Sequence, residues 1–174
     1  AGERARIVHP TIDGLVDQIS ASARHFLATT TGERSLQEAR RVIESAIARH
    51  AAEVATPDEI SRLEQALDAN RQSLASLENF EVTDVAFHFA IAEIGGNQVF
   101  TAMHRAIVGW LAMQRYVASR AAPEARPNAL LHHEKIFEAI AAREPERAGQ
   151  MMDAHIRDVE RWYRQGRKQE NDGV

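Results

Sequence analysis

Four polar residues lie on the apolar stripes of predicted helices, and all four are of types that bind metal ions. They are Asp84, His88, His133 and His155. An unpaired polar group is costly to bury in a helical core, so we expect the four to share one partner. Imidazole and carboxylate ligands without thiolate suit zinc, nickel, manganese or iron. We therefore predict a divalent metal site, with zinc as the first candidate.

The spacing of these residues supports one common site. Asp84 and His88 are four residues apart, which places both side chains on one face of a helix. His133 comes eleven residues before Glu144, and His155 comes eleven residues after it. An antiparallel helical hairpin that turns at Glu144 would bring these two histidines to the same height. Such a site is either a nearly closed tetrahedron or a larger coordination sphere with positions open to a ligand.

A plainer interpretation makes each histidine a core side chain that is hydrogen-bonded to a neighbour. Four stripe-facing candidates with matched spacing favour the metal over that interpretation. His132 adjoins His133 but points about 100° away around the helix, so we do not predict it as a ligand. His9 precedes the first predicted helix. The three remaining histidines are expected on the flanks of stripes or on exposed faces: His25, His50 and His104.

Arg40 is a charged residue on the apolar stripe of another predicted helix. A guanidinium that faces a core must be paired, and its planar fork matches a carboxylate. One interpretation pairs Arg40 with Glu44, one helical turn further on, or with Asp84. The other pairs it with the carboxylate of a small acid bound beside the metal. The sequence leaves both open.

Three amide residues complete the predicted ligand-binding set with Arg40. Asn70 and Gln114 lie on stripes, and Asn97 follows two glycines, where it either caps a helix or holds a ligand group at the mouth of a cavity. A metal, an arginine and amides around one interior space describe a pocket for a small polar acid. No nucleophile elbow, phosphate loop or paired-carboxylate motif is present. We predict a binding protein and not an enzyme.

Two alternatives remain beside the acid-binding pocket. A metal-dependent enzyme in a helical bundle would use the same ion as a Lewis acid. A helical interaction module would use its buried polar residues only to fix packing.

The elements that carry these residues are predicted to be helical throughout. All five prolines fall where a helix could start or a loop could run, and no stretch shows strand alternation or a hairpin turn. Thr56, Pro57 and Glu59 form a helix start with a capping box, and Gly95 and Gly96 end a helix. Helices are predicted over residues 10–28, 33–54, from 57, 79–94, from 97 and on both sides of 144–145, with loops at 29–32 and 119–128. The fold class is an all-α antiparallel bundle of six to seven helices.

Composition limits the class of protein. The chain has 174 residues, 44% of them hydrophobic and 26% charged, as in one globular domain. It has no cysteine, so disulfides and thiolate sites are excluded, and no run resembles a signal sequence or membrane span. We expect a cytoplasmic protein. The net charge is −4, and no face of a predicted helix is basic enough to bind DNA. If the protein regulates DNA, another segment must bind the DNA.

A family resemblance appears at the predicted metal site. DVAFHFAIAEIGGN, from Asp84 to Asn97, is followed by HEKIFEAI from His133 and by AH at His155. This pattern resembles the effector-binding domain, or FCD domain, of the FadR branch of the GntR transcription regulators. Upstream, EARRVIE at residues 38–44 is similar to that family's first helix pair.

The resemblance implies a dimeric helical bundle that binds a metabolite carboxylate beside a metal. The metal ligands would be Asp84, His88, His133 and His155. The domain would control a winged helix-turn-helix that precedes it, and DNA would be bound only through that module. On this basis residues 1–10 are a linker, 11–166 the effector-binding domain and 167–174 a frayed tail.

The effector is implied by a narrower likeness within the family. Residues 92–111 are similar to regulators that respond to sialic acid. N-acetylneuraminate is then the implied effector, with its carboxylate near the metal and Arg40. Regulators of uronate, gluconate, lactate or pyruvate use share this scaffold, so the class is sugar acids and small carboxylic acids.

Overall fold

The computed structural model describes residues 14, 29–121 and 124–172, and of residues 30, 112–121, 167 and 169–172 only the backbone. Within this part of the chain the secondary structure is helical, without strands, which confirms the predicted fold class. The predicted helix at 10–28 lies outside the described residues, apart from position 14. The elements are α1 (Thr30–Val54), α2 (Pro57–Gln72), α3 (Leu77–Glu93), a 3-10 turn (Ile94–Gly96), α4 (Gln98–Ala121), α5 (Ala125–Ala141) and α6 (Pro145–Asp172).

Helix α6 is the centre of the bundle, since it packs against α1, α4 and α5. Helix α3 packs between α2 and α4. Apolar residues at helical spacing build the core that these contacts enclose. Its most deeply buried large members are Leu63, Phe87, Ile91, Ile136, Ile140, Met152 and Ile156. No helix of the described residues has the length and apolar character needed to cross a membrane.

The start of α2 confirms the predicted capping box. The backbone N–H of Thr56 donates to Oε2 of Glu59 at 2.7 Å, and the N–H of Glu59 donates to the Thr56 hydroxyl at 3.3 Å. The second oxygen of Glu59 accepts from the N–H of Gly95 at 3.0 Å. Backbone hydrogen bonds from Thr56 and Gly95 lower the pKa of Glu59. This carboxylate therefore ties the start of α2 to the end of α3.

The end of α3 is set by two glycines in the left-handed region. Gly95 has φ 79° and Gly96 has φ 68°, a conformation that other residues adopt only with strain. A Cβ on Gly95 would lie 2.9 Å from the side chain of Val54. The close approach places the end of α3 against the end of α1.

Helices α5 and α6 form the predicted hairpin. Arg143 takes φ 61° in the turn, and the N–H of Glu144 donates to the carbonyl of Ala139 at 2.9 Å. These backbone bonds close the last turn of α5 before Pro145 begins α6.

Three predicted boundaries need correction. Helix α1 begins at Thr30 and not at 33, because the Thr29 hydroxyl caps the N–H of Gly32 at 3.0 Å. The predicted loop at 119–128 is shorter, since α4 continues to residue 121 and α5 begins at 125. Its alanines favour helix, and Pro127 falls in a first turn, where no intrahelical N–H bond is lost. Helix α6 continues to residue 172, through most of the predicted frayed tail.

Candidate metal centre

The structure brings the four predicted ligands together in the interior. Asp84 and His88 come from α3, His133 from α5 and His155 from α6, and one donor atom of each lies within 4.8 Å of all the others. The three histidines are buried and Asp84 is partly exposed. The hairpin brings the rings of His133 and His155 to 4.7 Å between centroids. Their equal distance from the turn thus produces the predicted proximity.

The distances between donor atoms suit one ion. Nε2 of His88 lies 3.1 Å from Nε2 of His155, and Nε2 of His133 lies 3.5 Å from Oδ1 of Asp84. Bonds of 2.0–2.2 Å to one ion would separate two donors by roughly 2.9–4.3 Å, depending on the angle. Both measured pairs fall in this range.

A buried nitrogen of His133 supports the same conclusion. Its Nδ1 lies 2.8 Å from the Asn70 carbonyl oxygen, an acceptor, so Nδ1 carries the proton and Nε2 carries a lone pair. Nε2 is buried and has no hydrogen-bond partner among the described residues. Leaving such an acceptor unsatisfied is costly, and an ion would satisfy it. The donor set therefore fits a divalent metal.

Asn70 holds His133 in place. Its oxygen accepts from His133, and its amide nitrogen donates to the Thr83 hydroxyl at 3.0 Å. The residue is fully buried behind His133. Both ends of its amide are engaged within the protein, and Asn70 orients a predicted metal ligand, as outer partners of metal-binding histidines do. A ligand contact of Asn70 stays a prediction.

Burial keeps two of the histidines neutral. Desolvation, followed by the charge of His88, lowers the pKa of His133 well below its ordinary value. Desolvation, followed by the charge of His133, does the same to the pKa of His155. Neutral imidazole is the form that binds metal ions, so both rings have the required protonation state near neutral pH.

Arg40 joins the same buried group of residues through Glu44. Nε of Arg40 donates to Oε1 of Glu44 at 2.8 Å, and each side chain is 4% exposed. The other oxygen of Glu44 lies 2.8 Å from Nδ1 of His88. The acidic partner of Arg40 is thus Glu44 and not Asp84. A second nitrogen of Arg40, Nη1, is buried without a hydrogen-bond partner in the described part of the chain.

Glu44 is ionised although it is buried. Desolvation alone raises the pKa of Glu44, but the charges of Arg40 and His88 outweigh it and hold the pKa well below its ordinary value. The sequence offered Glu44 only as an ion-pair partner. Its second contact, with His88, depends on the packing of α1 against α3, which the sequence pattern did not show.

His104 is a further residue whose predicted position was wrong. We expected it at the edge of a stripe or exposed, yet it is 3% exposed, and its ring lies nearly parallel to that of His88, with centroids 6.2 Å apart. The sequence does indicate burial of His104, because Phe100 and Ile107, four residues before it and three after it, lie on the same face of α4. His132, by contrast, pairs with Asp158 at 3.0 Å, and its nitrogens are not part of the four-residue cluster.

Two further predicted ligand contacts, Asn97 and Gln114, stay predictions. Asn97 is exposed, and its side-chain oxygen accepts from the N–H of Val99 at 3.0 Å, as a helix cap does. The structure shows this capping role, and a ligand role for Asn97 stays a prediction. Gln114 lies in α4, but its side chain is outside what the structure describes.

Comparisons with known proteins show the family of the chain and agree with its fold. The profile of the FCD domain family matches residues 35–158. The HTH-type transcriptional repressor NanR of Cronobacter sakazakii is 38% identical over 91% of this chain and 61% of its own length. NanR of Klebsiella aerogenes is 37% identical over 94% of this chain and 63% of its own. This chain thus spans a little over three fifths of these curated relatives.

A solved structure has the same fold. Streptococcus agalactiae GntR superposes with a TM-score of 0.65 over 78% of this chain and 63% of its own, at 24% sequence identity. At that identity the likeness concerns the fold alone.

Proposed function

The chain belongs to the FCD domain family, and on that premise we propose that it senses a small acid for a GntR-type transcriptional regulator. The acid is a sugar acid or small carboxylic acid, with N-acetylneuraminate as the first candidate. It binds beside a divalent metal, with zinc as the first candidate. One observation supports the proposal most strongly. The guanidinium of Arg40 is buried, and its Nη1 has no hydrogen-bond partner among the described residues. Glu44 links this guanidinium to the four-donor cluster.

Each residue of the site has a defined part in this proposal. Asp84, His88, His133 and His155 would hold the metal, and Asn70 fixes the ring of His133 so that Nε2 faces it. When bound, the ion supplies positive charge and a Lewis-acidic contact for a carboxylate. Arg40 offers the acid its second nitrogen, in the planar geometry that suits a carboxylate.

The relatives support a role in regulating transcription. They are named transcriptional repressors, and this chain covers only part of their length. We propose that DNA is bound by a winged helix-turn-helix outside this chain, which residues 1–10 would join to the sensing domain of residues 11–166. The working unit is a cytoplasmic homodimer. Acid binding shifts the population of dimer arrangements, provided that the acid binds these arrangements with different affinities.

Two measurements test the proposal in sequence. Elemental analysis of protein purified without added metal should find one divalent ion per chain. Thermal unfolding of the zinc-loaded chain should then shift upward with N-acetylneuraminate, glucuronate, gluconate, lactate or pyruvate, because a ligand that binds only the folded state stabilises it.

Substitution of Arg40 gives the control for specificity. Arg40→Lys keeps a charge opposite Glu44 but removes the planar fork, so the shift should disappear. Arg41→Lys changes the neighbouring arginine, whose partner is Asp153 near the surface, and should retain it. Stabilisation by no acid, together with turnover of a substrate, would favour the metal-dependent enzyme instead.

A further inference from the structure

A groove of about 380 Å³ lies where α1 packs against α6, and it shares no residue with the metal cluster. Its α1 wall carries Arg41, Ser45 and Arg49, which follow one another at intervals of four residues. Residues at this spacing lie one helical turn apart on the same face of a helix. A hydroxyl flanked by two guanidinium groups therefore faces the groove.

The hydroxyl of Ser45 is buried without a partner. Ser45 is 6% exposed, and its Oγ forms no hydrogen bond with any group of the described residues. A serine inside a helix often donates to the carbonyl four residues earlier, which here belongs to Arg41. That bond is not formed. Because a buried hydroxyl without a partner is costly, this one indicates a ligand group that the chain itself does not supply.

Arg49 has a second unused donor at the same groove. Its Nε is buried and forms no hydrogen bond, since Oε2 of Glu146 lies 3.4 Å away in an exposed and therefore weak ion pair. The Arg49 side chain lies directly on Gly149, where a Cβ would stand 2.6 Å from Nε. Glycine lowers helix stability relative to alanine, and the close approach of this arginine accounts for a glycine here.

The groove carries an excess of positive charge. Asp153 accepts from Nη1 of Arg41 at 2.9 Å and from Nε of Arg157 at 2.7 Å, so two arginines share one carboxylate. Arg49 has only the loose contact with Glu146 among the printed ion pairs of the described residues. Three arginines thus face two carboxylates, although the chain as a whole has a net charge of −4.

We propose that this groove binds the phosphate group of a small phosphorylated metabolite, with donors from Arg41, Ser45 and Arg49. Guanidinium groups match the geometry of phosphate, and a tetrahedral oxyanion offers enough acceptors for all three side chains. The volume is that of a small-molecule site, and Val42, 62% exposed, gives an apolar wall for the rest of the metabolite. A DNA duplex needs a wider basic face than one groove. The proposal depends on neither the metal nor the acid.

Calorimetric titration of the metal-free chain tests the site, because phosphate then has no ion to bind. Inorganic phosphate should bind once per chain, and glucose 6-phosphate should bind more tightly, since it also fills the groove. Arg49→Gln should lower both affinities about tenfold or more, as expected for lost hydrogen bonds to a charged group. Arg34→Gln, at an exposed position of the same helix, is the matched control and should bind normally. Glu146→Gln removes a competing carboxylate and should raise both affinities.

Two further variants separate ligand binding from a structural role. Ser45→Ala should lower phosphate affinity about tenfold, yet the midpoint of thermal unfolding without phosphate should not fall, because the hydroxyl has no bond to lose. Gly149→Ala keeps every donor but places a methyl group where Arg49 lies, so phosphate affinity should fall as well. Gly109→Ala, in α4 with open space around its Cβ, is the control and should bind phosphate normally.

Several outcomes would overturn the proposal. Equal phosphate affinity in Arg49→Gln and Arg34→Gln, or no heat from either ligand, would show that the groove is not a phosphate site. Binding of inorganic phosphate without glucose 6-phosphate would contradict a metabolite, and a DNA duplex that binds the chain but not Arg49→Gln would contradict a small ligand. If circular dichroism shows Arg49→Gln unfolded, unchanged phosphate affinity in folded Ser45→Ala and Gly149→Ala would refute the site.

Discussion

Nε2 of His88 lies 3.1 Å from Nε2 of His155, although the two residues are 67 positions apart in the chain. The rings belong to α3 and α6, and both are buried. Glu44 faces the far nitrogen of His88, so the near nitrogen of this ring points at His155. Packing of the bundle has thus arranged two imidazole nitrogens at the separation that ligands of one ion adopt.

The first prediction concerns Asp84, the one carboxylate of the cluster. Asp84→Asn keeps the shape of the side chain but removes the anionic ligand. Loss of a residue that only orients a metal ligand lowers metal affinity about 10–100-fold, so loss of this direct ligand should lower zinc affinity by more than about 100-fold. Competition with a chelator measures the change. Asp68→Asn, at an exposed ion pair on α2, is the control and should bind zinc normally. Equal zinc affinity in both variants would remove Asp84 from the site.

A second prediction concerns Asn70, which positions His133. Asn70→Ala leaves Nδ1–H of His133 buried without an acceptor, so the free energy of unfolding should fall by about 1–3 kcal/mol. Zinc affinity should fall about 10–100-fold as the ring loses its orientation. Urea denaturation and chelator competition measure the two effects. Asn79→Ala, on an exposed position of α3, should show neither, and normal zinc binding by Asn70→Ala would contradict the positioning role.

A third prediction concerns acid lability of the metal-free chain. Burial lowers the pKa of His133 and His155, so the unfolded chain, with histidine pKa values of about 6.5, takes up protons that the folded chain does not. Above about pH 6.5 the free energy of unfolding should therefore be at its highest with respect to these two histidines. Between about pH 6.5 and 5 it should decrease by up to about 1.4 kcal/mol per pH unit for each histidine.

Urea denaturation at several pH values measures this slope. Stability that stays constant or increases as the pH falls through this window would show that the two rings are not held neutral.

A fourth prediction uses three glycines as a graded series. Gly109 lies in α4 with open space where a Cβ would stand, so Gly109→Ala should stabilise the fold by about 0.5–1 kcal/mol. Gly96 also has open space but a positive φ, so Gly96→Ala should cost about 1–2 kcal/mol. Gly95 has a positive φ and a contact with Val54, so Gly95→Ala should cost more. Thermal unfolding should give this order, and another order would contradict the geometry of the α3–α4 corner.

Local patterns in the sequence were sufficient to predict the helices of the described residues and the four-residue cluster. The i and i+4 spacing placed Asp84 and His88 on one face, and equal distances from a turn placed His133 level with His155. Both inferences need only the geometry of a helix and of a hairpin. The turn at 95–96 followed in the same way from glycine chemistry.

The partners of these residues could not be predicted in the same way. Asn70 faces His133 and Glu44 faces His88 only because separate helices pack at a particular angle and height. Periodicity shows which face of a helix is buried but not which residue of another helix it meets. The burial of His104 was predictable in principle, because Phe100 and Ile107 lie on the same face of α4. The loop predicted at 119–128 is shorter in the structure because Pro127 lies in the first turn of α5, where a proline removes no intrahelical hydrogen bond.

Calorimetric titration of N-acetylneuraminate into the zinc-loaded and the metal-free chain tests the central claim most directly. The claim is that Asp84, His88, His133 and His155 hold an ion that, with Arg40, receives an acid. One acid should bind per zinc-loaded chain, with no detectable heat from the metal-free chain and a large loss of affinity in Arg40→Lys. Binding that is equal with and without zinc, or unchanged in Arg40→Lys, would contradict the claim.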